Sequence, residues 1–315
     1  MKHTPTMVSL VEDYLAARRQ MGFDLGIAGE QLLAFGRFSD QTDHRGPVTF
    51  DLAVRWAQSS RRSTPLTWAR RLEVLRPFVK YRSQFDAGTA IVPPTFFGPA
   101  HRRLIPHIYT EQEIVALLKA ADNLLPAGGL RPLTYRTLFG LLAATGLRIS
   151  EALHLKPQDV DLEHELLTVR QTKFRKSRLV PLHSTTGAAL SRYAETRHRK
   201  LSGQKVEAFF VSARGKALPD RTVHSTFEKL RSQMGWAARG GYPAPRIHDL
   251  RHSFICHGLL RSYRQNQPID NVIDAISPYV GHAKVSDTYW YVTAIPELMA
   301  VAARRFSQFA EGGTR

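Results

Sequence analysis

Between residues 88 and 107 no helix or strand can run unbroken. Gly88, Pro93, Pro94, Gly98, Pro99 and Pro106 all fall in this stretch. Each proline removes a backbone donor, and each disfavours helix in the residue before it. The stretch therefore separates two regions of regular hydrophobic period, and a chain of 315 residues is long enough for a domain on either side. The reading is a helical domain over residues 1–95, a linker over 96–107 and a second domain over 108–315.

Before the break, apolar residues recur at helical spacing. Val8, Leu10, Val11, Tyr14 and Leu15 form one stripe that stops near Gly22, and Leu32, Leu33, Phe35 and Phe38 form another. Residues 49–58 read as a third, short helix. Thr64-Pro65, an N-cap followed by proline in the first turn, opens a fourth through Leu72, Leu75 and Phe78. Pro77 is expected to kink or interrupt it. After the break, Thr110-Glu111-Gln112-Glu113 has the form of a capping box. A helix over about 133–144 ends at Thr145-Gly146. The period then changes. Residues 165–172 and 177–182 read as strands joined by the basic turn Lys173-Phe174-Arg175-Lys176. Helices resume near Ser184, Asp220 and Ile247. The predicted class is mainly α with a small β-hairpin or sheet.

Charge narrows the partner. Lys and Arg number 44 against 27 Asp and Glu, a net +17 at pH 7. Residues 170–216 hold 12 basic and 2 acidic side chains, whereas residues 1–95 hold 13 and 9. A basic run is often only a solvated face. Interleaved with Val169, Phe174, Leu179 and Val180, this one fits a phosphate backbone better. Arg61, Arg62, Arg70, Arg71 and Arg76 near the fourth helix would likewise let the first domain grip DNA. The single cysteine, Cys256, excludes a disulfide scaffold and Cys-based zinc modules. No apolar run approaches the ~18 residues of a membrane span, and the first twenty residues lack a signal-peptide core. A soluble, cytoplasmic, nucleoid-associated protein acting on double-stranded DNA, with no membrane partner, is the expectation.

Four local clusters carry chemistry: Thr145-Gly146-Leu147-Arg148-Ile149-Ser150-Glu151, the basic hairpin from Thr172 to Leu182, His248-Asp249-Leu250-Arg251-His252, and Gly281-His282 followed nine residues later by Tyr291. Breaking a phosphodiester by transesterification needs a nucleophile, a clamp on the phosphoryl oxygens and a proton for the leaving oxygen. Tyr291 can supply the nucleophile. Arg148 and Arg251 can supply the clamp, since a guanidinium meets two phosphate oxygens at once and keeps its charge. Lys173 can act as general acid, while His248 and His282 can exchange protons and hydrogen bonds with the phosphate and the phenol.

In these elements and their order, the chain resembles the tyrosine recombinase (phage integrase) family: Arg in a T-G-x-R-x-x-E box, Lys in a basic hairpin, His-x-x-Arg, Gly-His, and Tyr nine residues after that His. The resemblance covers about residues 107–310. It implies a core-binding domain followed by a catalytic domain, a 3′-phosphotyrosyl intermediate with a free 5′-hydroxyl, and strand exchange by a homotetramer on two duplexes, with or without sister recombinases. No nucleoside triphosphate is expected, because the protein–DNA ester conserves the bond energy, and no metal cofactor is expected either. The run Val292–Met299 is similar to a subgroup encoded by bacterial transposons, and the amphipathic tail from Leu298 to Phe309 is expected to dock on a neighbouring protomer.

Plainer readings stand beside these. Arg148 could be a helix-end cation paired with Glu151, and Glu151 itself reads as a structural buttress. Lys176 rivals Lys173, which is preferred as the family's first hairpin lysine. Tyr289 and Tyr291 point about 200° apart on a helix, so only one can enter a site; Tyr289 reads as packing. His248 and His252 stand at the i,i+4 spacing of a zinc helix, but Asp249 replaces the usual Glu and Arg251 would repel a divalent ion. The same chemistry would serve a type IB topoisomerase or telomere resolvase. An inert DNA-binding regulator on this scaffold would be expected to lack at least one of the six side chains.

Overall fold

In the computed structural model, residues 5–61, 64–170, 177–201, 204–294 and 296–312 are described. The chain divides into two units, Met1–Arg103 and Leu104–Arg315. The first is built from α1 (Met7–Gln20), α2 (Gly26–Gln41), α3 (Phe50–Gln58) and α4 (Pro65–Arg82). Threonine caps start three of them: Thr6, Thr49 and Thr64 accept from the backbone N–H of Ser9, Leu52 and Thr67. Their apolar faces meet around Phe35, whose ring lies 5.3 Å from Trp56 and 6.2 Å from Phe78.

Pro77 does not interrupt α4, which runs on to Arg82. Leu75, Phe78 and Val79 are buried on either side of the proline, and that burial outweighs one missing backbone hydrogen bond. Arginines of α4 also hold the irregular segment that follows it. Arg76 donates to the carbonyls of Val92 and Pro94, and Arg70 to that of Ala100. Arg71 lies over the Trp56 ring at 4.2 Å, where burial lowers its pKa. Arg70 and Arg76 fasten the irregular segment after α4 to its own helices. Val92 is buried there, and Phe96 and Phe97 pack edge-on against Phe50 and at a tilt against Trp68.

The second unit opens with α5 (Glu111–Asp122), whose capping box between Thr110 and Glu113 forms as its sequence predicts. It continues through α6 (Leu130–Thr145), α7 (Ile149–Leu153) and the strands β1 (Val160–Asp161), β2 (Leu166–Val169) and β3 (Arg178–Pro181). Then come α8 (Ser184–Lys200), α9 (Asp220–Gln233), α10 (Asp249–Arg264), α11 (Ile269–Val280), α12 (Ser286–Ala294) and α13 (Pro296–Gly312). The strands form one antiparallel sheet in the order β1-β2-β3, with Leu167 opposite Val180 and Val169 opposite Arg178. The turn between β2 and β3, with Lys173 and Lys176, lies outside the described residues.

Two apolar cores divide this unit, and α10 serves both. Leu250 belongs to the core built around Phe139, Tyr193 and Phe210. Ile255 and Leu259 belong to a second, with Ile273, Val280, Tyr291 and Leu298. The expected docking tail, α13, packs on its own chain: Leu298 is buried, and Arg305 donates to Asn266 and to the backbone of Tyr263. Among the described residues no helix is long and apolar enough to cross a membrane.

Candidate active site

The site is organised by two glycines in the left-handed conformation. Gly146 closes α6 at φ 62°, and a Cβ there would come within 2.6 Å of the Phe254 ring. The turn it makes delivers Arg148 to the start of α7, and its carbonyl accepts Nη1 of Arg251 at 2.7 Å. Gly281 closes α11 at φ 71°, where a Cβ would come within 2.6 Å of Nη1 of Arg178. Its carbonyl accepts Nη2 of Arg148 at 3.0 Å, which ties the Arg148 turn to the His282 turn.

Glu151 stands between two arginines. Its carboxylate accepts Nη1 of Arg148 at 2.8 Å, and Nη1 and Nη2 of Arg178 at 3.1 and 2.9 Å. It also caps α7 by accepting the backbone N–H of Arg148 at 3.0 Å. Burial pushes its pKa up, but hydrogen bonds from Arg178 and Arg148 prevail and hold it below the ordinary carboxylate value. Arg178 also donates Nε to the carbonyl of Tyr279 at 2.9 Å, so β3 is bolted to the end of α11.

The start of α10 supplies the remaining groups. His248, Arg251 and His252, at i, i+3 and i+4, share one side of the helix. Arg251 is 3% exposed, and its Nη2 is buried without a hydrogen-bond partner among the described residues. Burial, then the nearby Arg148, lowers its pKa to about 10, so it remains a cation at neutral pH. A buried guanidinium nitrogen without an acceptor is costly, and an anion oxygen is what would satisfy it. His248 keeps solvent-accessible surface although protein crowds its ring. Desolvation, then Arg251, Arg246 and Arg148, lowers its pKa to about 4. Desolvation, followed by His248, lowers that of His252 to about 2. Both imidazoles are neutral at neutral pH.

Tyr291, on α12, is 3% exposed, and its hydroxyl lies 2.6 Å from Nδ1 of His252. With His252 neutral and its proton on Nε2, the phenol donates and the imidazole accepts. The Tyr291 ring lies parallel to that of His282, with centres 6.4 Å apart, and Nδ1 of His282 is 2.7 Å from the buried Thr288 hydroxyl. Tyr289 faces outward. It is 43% exposed and donates its hydroxyl to Asp270 at 2.6 Å, which is a surface hydrogen bond where packing was expected.

The match to known proteins follows these residues. A profile described as the phage integrase family covers residues 108–297. The chain belongs to the phage integrase family. It is 38% identical over 313 residues to a Sinorhizobium fredii protein, y4rB, named as an integrase/recombinase, with 98% of this chain and 99% of that one aligned. It is 29% identical to the tyrosine recombinase XerD of Ralstonia nicotianae, over 85% of this chain and 80% of that one. The fold is similar to that of the Tn1549 transposon integrase in complex with transposon right end DNA, at a TM-score of 0.68 and 16% identity, covering 97% of this chain and all of that one (100%). It is also similar to XerH bound to a palindromic difH substrate, at a TM-score of 0.64 and 19% identity, covering 89% and 79%.

Of the six side chains that the sequence proposes for this integrase family member, the structure brings five into one neighbourhood: His248, His282 and Tyr291 are linked by ring contacts through His252, and Arg148 and Arg251, held by the two glycine turns, lie close enough to interact electrostatically with each other and, for Arg251, with Tyr291. Lys173 lies outside the described residues. Two members of the group were not among the six. His252 is legible in the sequence only as the i+4 partner of His248, a spacing that suggests zinc; among the described residues no group of three or more His, Cys, Asp or Glu is placed to hold a metal. Arg178 carries no local signal beyond its place in the basic hairpin.

Proposed function

We propose that this phage integrase family member is a site-specific DNA recombinase that breaks and rejoins strands through Tyr291. One observation carries the reading: a buried tyrosine hydroxyl lies near a buried guanidinium nitrogen of Arg251 that has no hydrogen-bond partner among the described residues. The phenol oxygen attacks phosphorus, a 3′-phosphotyrosyl ester forms, and the bond to the 5′-oxygen breaks. Arg148 and Arg251 stabilise the charge that develops on the phosphoryl oxygens, commonly the largest catalytic contribution. Lys173 protonates the leaving 5′-oxygen. His248 and His282 hydrogen-bond the phosphate and the nucleophile. Attack of a 5′-hydroxyl on the ester reverses these steps, so no nucleoside triphosphate is consumed.

The partner is double-stranded DNA in the bacterial cytoplasm, bound by the basic hairpin and by a core-binding domain made from the first unit. The working assembly is a homotetramer on two duplexes, with α13 docking on a neighbouring protomer and Phe306, 72% exposed, available to that contact. Light scattering of the DNA complex reads the oligomeric state, and a complex that stays one protein per duplex would remove the tetramer.

The test of the chemistry uses nicked duplexes selected by the protein from a random pool. The wild type is expected to form a covalent adduct at Tyr291, Tyr291→Phe none, and Tyr289→Phe the wild-type amount. An adduct formed by Tyr291→Phe would refute the assignment.

A further inference from the structure

We infer that His252 takes the proton of the Tyr291 hydroxyl when a scissile phosphate enters the site, which makes it a further catalytic residue of the recombination proposed above, on which this inference rests. The contact is already made: Nδ1 of His252 is 2.6 Å from the phenol oxygen, within the distance at which a general base acts. The backbone favours it too. His252 is one residue beyond Arg251 on α10, so a phosphate held by Arg251 arrives beside the same helix turn that holds the nucleophile's proton.

The charged and titratable groups facing His252 explain why the proton stays on Tyr291 until then. They are His248 and Arg251 at the start of α10, Arg246 just before it, His282 from the turn after α11, and Tyr291 itself on α12. Apart from the phenol, these leading contributors are cations or imidazoles, and each of them disfavours a proton on His252. With desolvation, they hold His252 neutral down to a pKa of about 2. Without DNA the imidazole, in the tautomer protonated on Nε2, accepts a hydrogen bond from the phenol but not its proton, and the phenol stays un-ionised. A phosphodiester drawn between Arg148 and Arg251 adds a negative charge to this set, and a nearby opposite charge favours the protonated imidazole. The proton then moves from the Tyr291 oxygen to Nδ1 of His252 as the O–P bond forms. The P–O5′ bond breaks, and the 5′-oxygen takes its proton from Lys173. Religation returns the proton from His252 to the departing phenolate. Substrate arrival thus arms the nucleophile, and the resting protein is protected from forming esters at random.

The experiment uses the full chain and two nicked duplexes, one natural and one with sulfur in place of the bridging 5′-oxygen, whose thiolate leaves without needing a proton. Adduct formation is followed against pH. His252→Asn places an amide oxygen near the position of Nδ1, so Tyr291 keeps an acceptor that cannot be protonated. It should bind DNA and melt as the wild type does, yet form adduct roughly 10²-fold more slowly or worse on both duplexes. The pH dependence of the wild type on the sulfur substrate should be lost. Added imidazole should restore part of the rate to His252→Ala. Wild-type rate and pH profile in His252→Asn would overturn this inference alone. Absence of any Tyr291 adduct from the wild type would overturn it together with the proposed function.

Discussion

Glu151→Gln is the sharpest probe of how this site is held together. The carboxylate is buried, with 7% of its side chain exposed, and receives four hydrogen bonds from the two arginines and the backbone. Glutamine keeps one accepting oxygen and turns the other into an amide that faces guanidinium donors. Removing one partner of a buried ion pair costs about 3–5 kcal/mol. Arg148 is 31% exposed, so water recovers part of its loss, and the lower end, about 3 kcal/mol, is expected. In a unit of this size, about 2–4 °C of Tm per kcal/mol gives a drop of ~6–12 °C. The sign with pH is also set. Because the folded pKa of Glu151 is depressed, its stabilisation is complete above the unfolded value near ~4.3 and is lost as pH falls through the folded one. Calorimetric melts of both proteins should therefore show a wide gap at neutral pH that narrows on acidification below pH ~4. A shared Tm at neutral pH, or a gap that acid leaves unchanged, would refute the argument.

Gly281→Ala should cost about 1–2 kcal/mol from the left-handed backbone alone, since φ is 71°. The added Cβ also displaces the Arg178 guanidinium, so adduct formation should fall at least ~10-fold; normal melting and normal cleavage together would contradict the close approach. DNA affinity should fall steeply with salt, by about 10³–10⁵-fold between 50 and 200 mM if six to ten phosphates are contacted. A flat titration would remove the basic hairpin from the DNA backbone.

Local chemistry was readable from the chain and long-range chemistry was not. The capping box at Thr110 and the caps at Thr49 and Thr64 are set by residues within one turn, so both the motif and its outcome sit in the sequence. The hairpin of β2 and β3 follows from a change of period, although β1, only two residues long, carries too little pattern to be seen. The site divides the same way. Arg148, Arg251, His282 and Tyr291 stand in motifs with fixed spacing. The contact of His252 with Tyr291 spans 39 positions and exists only because α10 and α12 share a core. The sharing of Glu151 between Arg148 and Arg178 depends on β3 reaching the end of α11, which nothing near residue 178 announces. The arginines of α4 are the reverse case. Their charge suggests nucleic acid, and no local rule predicts that Arg70 and Arg76 would also donate to backbone carbonyls 16 to 30 residues onward.

Helix α12 carries two phenols two residues apart, and each is fastened on an opposite flank, Tyr289 to Asp270 and Tyr291 to His252. A rod pinned on both sides resists turning about its own axis. Whatever torque would swing the inner oxygen toward or away from its target must first work against the outer bond, so a carboxylate at the protein surface shares in setting the aim of a group buried beneath it.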